Sequence, residues 1–339
     1  MRIEGVEGAA EQPQPNDVLL TAERLQDDGH DLAALALLLE EHPEAKAGEI
    51  SSPSIIELIT RLAGRVSVTA PAADLAAVLV LMRRTELRPS VSNPVQSALN
   101  TAAQTEVNAA RAADTVEPLA TFVEALGSGA DLVPDLHRQL AYQALRMRRY
   151  DIALPAALNA ARMAPTDPQA MLFAMRAAAQ LRQPFIARTQ AEAVLRLIPD
   201  QSHKHRMEAE NRLEALPGMF YNVASKTDDP IEAARLFQAA ASGAELNERA
   251  SHEATAREKT FLAAARERLL AGDDTLLADL ERAHDVLVDQ ARVLFLMGRF
   301  LVTRARFAEA LPVWQSLLDL APDDTRARAE LDRCRAKAV

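Results

Sequence analysis

Two stretches of this chain read alike. Arg149-Tyr150-Asp151-Ile152-Ala153-Leu154-Pro155 aligns with Arg306-Phe307-Ala308-Glu309-Ala310-Leu311-Pro312, and the same offset carries Ala164-Pro165 onto Ala321-Pro322. A further proline interval, Pro165 to Pro199, spans 34 residues. Each of the two stretches offers an aromatic, a small residue three positions on and a proline further along. Short links between successive helices force antiparallel neighbours, the arrangement of a helical hairpin. Small residues let two helices pack near the short end of the usual spacing of about 8–10 Å, and proline blocks continuation. Pro155 and Pro312 are expected in the first turn of their helices, where no i−4 hydrogen bond is lost.

Composition points the same way. Of 339 residues 49% are apolar but only 4% aromatic, and there are 11 glycines. The apolar content is Ala, Leu and Val; roughly a fifth of the chain is Ala, the residue that loses least on entering a helix. Charged residues make up 25%, a share compatible with a packed core rather than wholesale disorder. No apolar run approaches the roughly 20 residues of a membrane span. The single Cys334 excludes an intramolecular disulfide framework and a multi-cysteine metal site.

The net charge of −10 is unevenly placed. Residues 1–50 hold twelve acids against three bases, and the remainder is nearly balanced. Without a concentrated basic domain, neither nucleic acid nor an anionic membrane surface is the expected ligand. Residues 1–16 read as an acidic, disordered lead-in. Their start has neither the basic nor the apolar part of a secretory signal, so the cytoplasm is the expected compartment.

After the lead-in, helix follows helix. Breaks are expected at Ser52-Pro53, Ala70-Pro71, Asn93-Pro94, Asp167-Pro168 and Asp229-Pro230, mostly a capping residue ahead of a first-turn proline. Arg65-Val66-Ser67-Val68-Thr69, the nearest thing to a strand, is read as linker. The run 246–271 has no Pro or Gly, which predicts one long helix, and 94–113 is also over-long. Breaks at Gly127-Ser128-Gly129 and at Pro217-Gly218-Met219-Phe220-Tyr221 divide the chain into three expected lobes: 17–130, 131–216 and 217–339.

The repeat resembles the tetratricopeptide repeat (TPR) family, whose units are two antiparallel helices in about 34 residues. In residues 291–324, Gly298 matches the close-approach position, Phe307 the turn aromatic, Ala310 the small residue and Pro322 the closing proline. Residues 134–167 keep Ala141, Tyr150, Ala153 and Pro165. Residues 168–201 keep Ala187 and Pro199, with Met175 and Pro184 departing from the pattern. The resemblance implies an all-α helical-hairpin solenoid, a TPR-like right-handed superhelix, here with irregular inserted helices. It further implies that first helices line a concave groove for a polypeptide. The positions that match are Arg138, Tyr142 and Arg146, then Leu172 and Arg176, then Arg292, Phe295 and Arg299. Spacings of three and four put each set on one helix face. Arginines with an aromatic suit the carboxylates of an acidic peptide; the alternative is ordinary solvated faces pairing with neighbours. The family's carboxylate-clamp Asn and Lys are missing.

Catalysis finds no support in the sequence. No Gly-rich phosphate loop, nucleophile elbow or His-Glu-x-x-His occurs. His203 and His205, at i and i+2, are not expected to face each other. The acidic doublets at 27–28, 228–229, 273–274 and 323–324 read as complements to helix N-termini. The expected protein is therefore a non-enzymatic adaptor or assembly factor without cofactor, binding a protein or peptide partner. A recruiting subunit for a separate enzyme, such as a glycosyltransferase, is the alternative. A homo-oligomer stacked through an open apolar face at Trp314, Leu317 and Leu318 is a third reading.

Overall fold

The computed structural model describes residues 15–338, apart from Ala47, Glu49, Glu86 and Arg88. All but the last two residues of the acidic lead-in lie outside the described residues. Among the described residues there is no strand, and no helix is long and apolar enough to cross a membrane. The chain forms two compact units, one ending at Leu181 and the other beginning at Arg182.

Unit 1 runs α1 (Pro15–Asp27), α2 (Asp31–Glu41), α3 (Pro43–Lys46), α4 (Pro53–Thr69), α5 (Ala72–Arg84), α6 (Pro89–Ala113) and α7 (Glu117–Leu126). A 3-10 turn (Gly127–Leu132) leads into α8 (Leu136–Arg146), α9 (Tyr150–Met163) and α10 (Pro168–Gln180). Neighbours in sequence pack as pairs: α1 on α2, α8 on α9, α9 on α10. The long α6 packs against α4, α5, α7 and α8, and its buried stripe Val91, Val95, Leu99, Ala103, Val107 and Ala110 repeats at helical spacing. The core facing it is aliphatic, with Leu58, Ile59, Leu62, Leu75 and Leu79 buried.

Unit 2 runs α11 (Pro184–Leu197), α12 (Lys204–Ala224), α13 (Pro230–Ala240), α14 (Asn247–Ala271), α15 (Leu276–His284), α16 (Gln290–Thr303), α17 (Phe307–Leu320) and α18 (Thr325–Lys337). Here α13 pairs with α14, α16 with α17 and α17 with α18. The expected long helix over 246–271 is α14.

The hairpin turns share a backbone device. Arg148 and Ala305 adopt left-handed conformations, with φ of 58° and 57°, each two residues ahead of the turn aromatic, Tyr150 or Phe307. The helix before each turn therefore ends in the way that glycine usually permits. Helix starts are capped by carboxylates: Asp167, Asp229, Asp289 and Asp324 each accept a backbone N–H of their own first turn.

Several local expectations are corrected. Arg65–Thr69 is not linker but the end of α4, with Val66 buried. Asn93-Pro94 is no break, because α6 already starts at Pro89. Pro94, Pro155 and Pro312 all sit at the sixth helical position, past the first turn, so each forgoes one intrahelical bond. Pro217–Tyr221 lies inside α12, and Phe220 is buried edge-on to Phe185, ring centroids 4.8 Å apart. The Gly127–Gly129 stretch is more than a linker: a Cβ on Gly129 would collide with Ala76 of α5. Asp27 and Asp28 stand at the C-terminal end of α1, so the N-terminal dipole argument does not reach them. His203 caps α12 and accepts the His205 N–H, which brings the two rings to 4.9 Å. Finally, the face at Trp314 and Leu317 is not open. Residues 325–337 form α18, which packs on α17 and leaves Trp314, Leu317 and Cys334 buried.

Candidate protein-binding groove

Unit 1 holds a concavity of about 480 Å³ lined by Arg111, Arg138, Gln139, Tyr142, Arg146, Gln169 and Phe173. Three helices supply these residues. Gln139, Tyr142 and Arg146 recur at spacings of three and four on α8, and Gln169 and Phe173 one turn apart on α10. Arg111 comes from the last turn of α6. Tyr142 is 43% exposed; its ring lies 6.0 Å from that of the buried Phe173, tilted by 39°. The two aromatics make an apolar floor beneath a basic rim.

The arginines are held in place by neighbours. Arg138 donates from Nε and Nη2 to the two Asp135 oxygens at 3.2 and 2.8 Å, and from Nη1 to Gln169 Oε1 at 2.7 Å. That leaves two of its five N–H donors. Asp167 stands 3.8 Å away. The Asp135 hydrogen bond raises the Arg138 pKa further above its ordinary value. Arg146 Nη2 donates to Asp114 at 3.1 Å, and Arg111 pairs with Gln139. Behind the rim, the buried Gln143 donates to the carbonyls of Ala110 (3.2 Å) and Thr115 (3.3 Å). Its Oε1 accepts from Arg146 at 3.4 Å. One amide thus ties α8 to the end of α6 and orients a rim arginine.

The structure brings together Arg138, Tyr142 and Arg146 among the residues expected from the repeat. Leu172 is 1% exposed and belongs to the core; the adjacent Phe173 takes its place on the concavity. Arg176, one turn beyond Leu172, lies outside this lining. The expectation missed Arg111, Gln139, Gln169 and Phe173. The Gln169/Phe173 spacing was available in the sequence, whereas Arg111 sits in the over-long α6, outside any repeat register.

Unit 2 treats its candidates differently. Arg292 is paired with Asp289 at 3.2 Å and lines a separate cleft. Phe295 packs edge-on against Trp314, ring centroids 5.7 Å apart. Arg299 pairs with Glu330 of α18 at 3.2 Å. The alternative of arginines pairing with their neighbours thus describes these two arginines, and it applies in part to the rim of unit 1.

No protein-family model matches this chain, and no curated protein matches it. Solved structures do. The P58(IPK) TPR domain is 12% identical, over 96% of this chain and 89% of that one, with a TM-score of 0.33. A tetratricopeptide repeat protein from Parabacteroides merdae ATCC 43184 is 14% identical, over 95% and 98%, with a TM-score of 0.25. The APC/C hetero-tetramer Cut9-Hcn1 is 12% identical, over 96% and 78%, with a TM-score of 0.22. The architecture rests on the chain's own helix pairs: among the described residues it is all-α, with successive helices packed as hairpins.

Proposed function

We propose that the protein is a binding module, acting as an adaptor or assembly factor, whose unit 1 concavity takes an acidic segment of another polypeptide. The observation that carries this reading is the convergence of Arg111, Arg138 and Arg146 above the exposed Tyr142 and its Phe173 floor. Guanidinium N–H groups not spent on Asp135, Gln169 and Asp114 pair with ligand carboxylates, and the aromatics take an adjoining apolar or aromatic side chain. Because the rim is already fixed by Gln143 and Gln169, binding immobilises few receptor side chains, and that saves ordering entropy. The partner's chemistry is that of a short segment with carboxylates spaced around one apolar residue.

A photo-crosslinking residue at position 142 tests this reading, with position 68, an exposed residue outside the lining, as control. The expected result is a polypeptide adduct from position 142 that disappears in an Arg138→Glu/Arg146→Glu background. Equal adducts from both positions, or adducts indifferent to the charge reversal, would refute the assignment.

A further inference from the structure

The unit 1 concavity carries its own length scale. Arg138, Tyr142 and Arg146 line it at steps of four residues along α8. Each step rises about 6 Å, so the two arginines stand about 12 Å apart along the helix axis with Tyr142 midway. Carboxylates at that separation come from two different residues, not from one chain end. An extended ligand meets the spacing with residues i, i+2 and i+4, which share a face and span about 13 Å. A helical ligand meets it with residues i, i+4 and i+8.

Two glutamines decide between these ligands. Gln139 of α8 accepts from Arg111, and Gln169 of α10 accepts from Arg138 at 2.7 Å, each through Oε1. Arginine only donates, so each amide is fixed with its oxygen on the arginine and its two N–H groups turned elsewhere. Neither Nε2 has an acceptor among the described residues, and neither is closed to solvent. A helix satisfies its interior carbonyls itself and has no use for these donors. An extended segment arrives with unpaired C=O groups that need them. Size agrees: a nine-residue helix about 10–12 Å across and about 13 Å long fills at least twice the 480 Å³ of the hollow.

We infer that the groove reads an extended internal segment of the pattern acidic–x–apolar–x–acidic. The outer carboxylates pair with Arg138 and Arg146, and the apolar residue rests on Tyr142 and Phe173. Backbone carbonyls beside it accept from Gln139 and Gln169 Nε2. The two intervening side chains face away from the groove and are free to vary. This inference rests on the carboxylate-reading groove proposed above and adds to it a register and a ligand conformation.

The test is calorimetric titration of the full chain with four capped peptides. They are Ac-Glu-Ala-Leu-Ala-Glu-NH2, its isomer Ac-Ala-Glu-Leu-Glu-Ala-NH2, the Gln-for-Glu counterpart of the first, and a stapled helix with Glu, Leu and Glu at i, i+4 and i+8. The first peptide is expected to bind at least several-fold more tightly than its isomer and the stapled helix, and the Gln counterpart not to bind. Gln139→Met and Gln169→Met are each expected to weaken the first peptide several-fold and to narrow its margin over the isomer, with the parent's melting temperature kept. If the isomer or the stapled helix binds as well as the first peptide while the Gln counterpart stays unbound, the extended register is overturned and the carboxylate reading stands. Equal binding of the Glu and Gln peptides overturns both. Full affinity in both Met variants removes the glutamines from recognition and overturns the inference.

Discussion

Gly298 of α16 faces the indole of Trp314 on α17 so closely that a Cβ built on it would lie 2.5 Å from Trp314 Cε2 and 2.6 Å from Cζ2. The ring is fully buried between α17, α18 and Phe295, so it has no room to retreat. Gly298→Ala is therefore expected to destabilise unit 2 by about 1–3 kcal/mol, as overpacking does. Gly218, inside α12, has open space at its Cβ position. There the same substitution is expected to stabilise by about 0.5–1 kcal/mol through helix propensity. Urea denaturation of the two variants reads both signs. Shifts in the same direction would contradict the packing account.

The hairpin turns make a separate prediction. Ala305 holds a φ of 57°, where an L residue with a Cβ is strained by about 1 kcal/mol or more. Ala305→Gly relieves that strain at some entropic cost in the unfolded chain, and a net gain of about 0.5 kcal/mol is expected. A lower melting temperature for this variant would show that the turn is not left-handed in solution.

Gln143 connects stability to the groove. Gln143→Leu keeps the size of the side chain but removes the bonds to Ala110 and Thr115 and leaves the Thr115 carbonyl short of a donor. The expected loss is about 1–3 kcal/mol. Acidic-peptide affinity should fall as well, since Arg146 loses a fixed neighbour. Full affinity in a destabilised variant would mean that Gln143 supports the fold alone.

Asp273 gives a pH signature. The Thr275 hydroxyl, then Arg268 (Nε to Oδ2, 2.6 Å), then the Thr275 N–H hold its carboxyl down from 3.8 to about 2. A carboxyl depressed on folding contributes stability that is fully present above its unfolded value, near 3.8, and is lost as pH falls through about 2. A carbon-detected NMR titration is expected to place Asp273 near 2, and Arg268→Met to move it back toward 3.8. A parent midpoint already near 3.8 would contradict the Arg268 pairing.

The hairpins over 134–163 and 291–320 were legible because a turn aromatic, a small residue and a proline each have one physical job there, and the three recur at fixed spacing. Legibility fails where proline does not stop a helix. Pro94 and Pro217 are accommodated inside α6 and α12, because tertiary packing outweighs one missing backbone bond. Val91, Val95 and Leu99 bury the face of α6 on both sides of Pro94, and Phe220 anchors α12 just beyond Pro217. In α18 the charge masked the structure: Ala327, Leu331 and Cys334 form its whole apolar stripe, which a run of arginines hides in the sequence. For the groove, helical spacing placed Arg138, Tyr142 and Arg146 on one face. It could not separate Leu172 from Phe173, which differ by a rotation of about 100° about the helix axis, and it gave no sign that Arg111 arrives from another helix.

The central claim is that the unit 1 concavity recognises carboxylates. A fluorescence-anisotropy titration compares a labelled, capped peptide carrying several Asp and Glu around one Leu with its Asn/Gln counterpart, on the full chain. The account predicts that the acidic peptide binds and its amide counterpart does not. Its affinity is expected to fall about tenfold or more in Arg138→Glu/Arg146→Glu, and to weaken on raising salt from about 0.05 to about 0.5 M. Equal binding of the two peptides, or an affinity unmoved by the charge reversal, would contradict it.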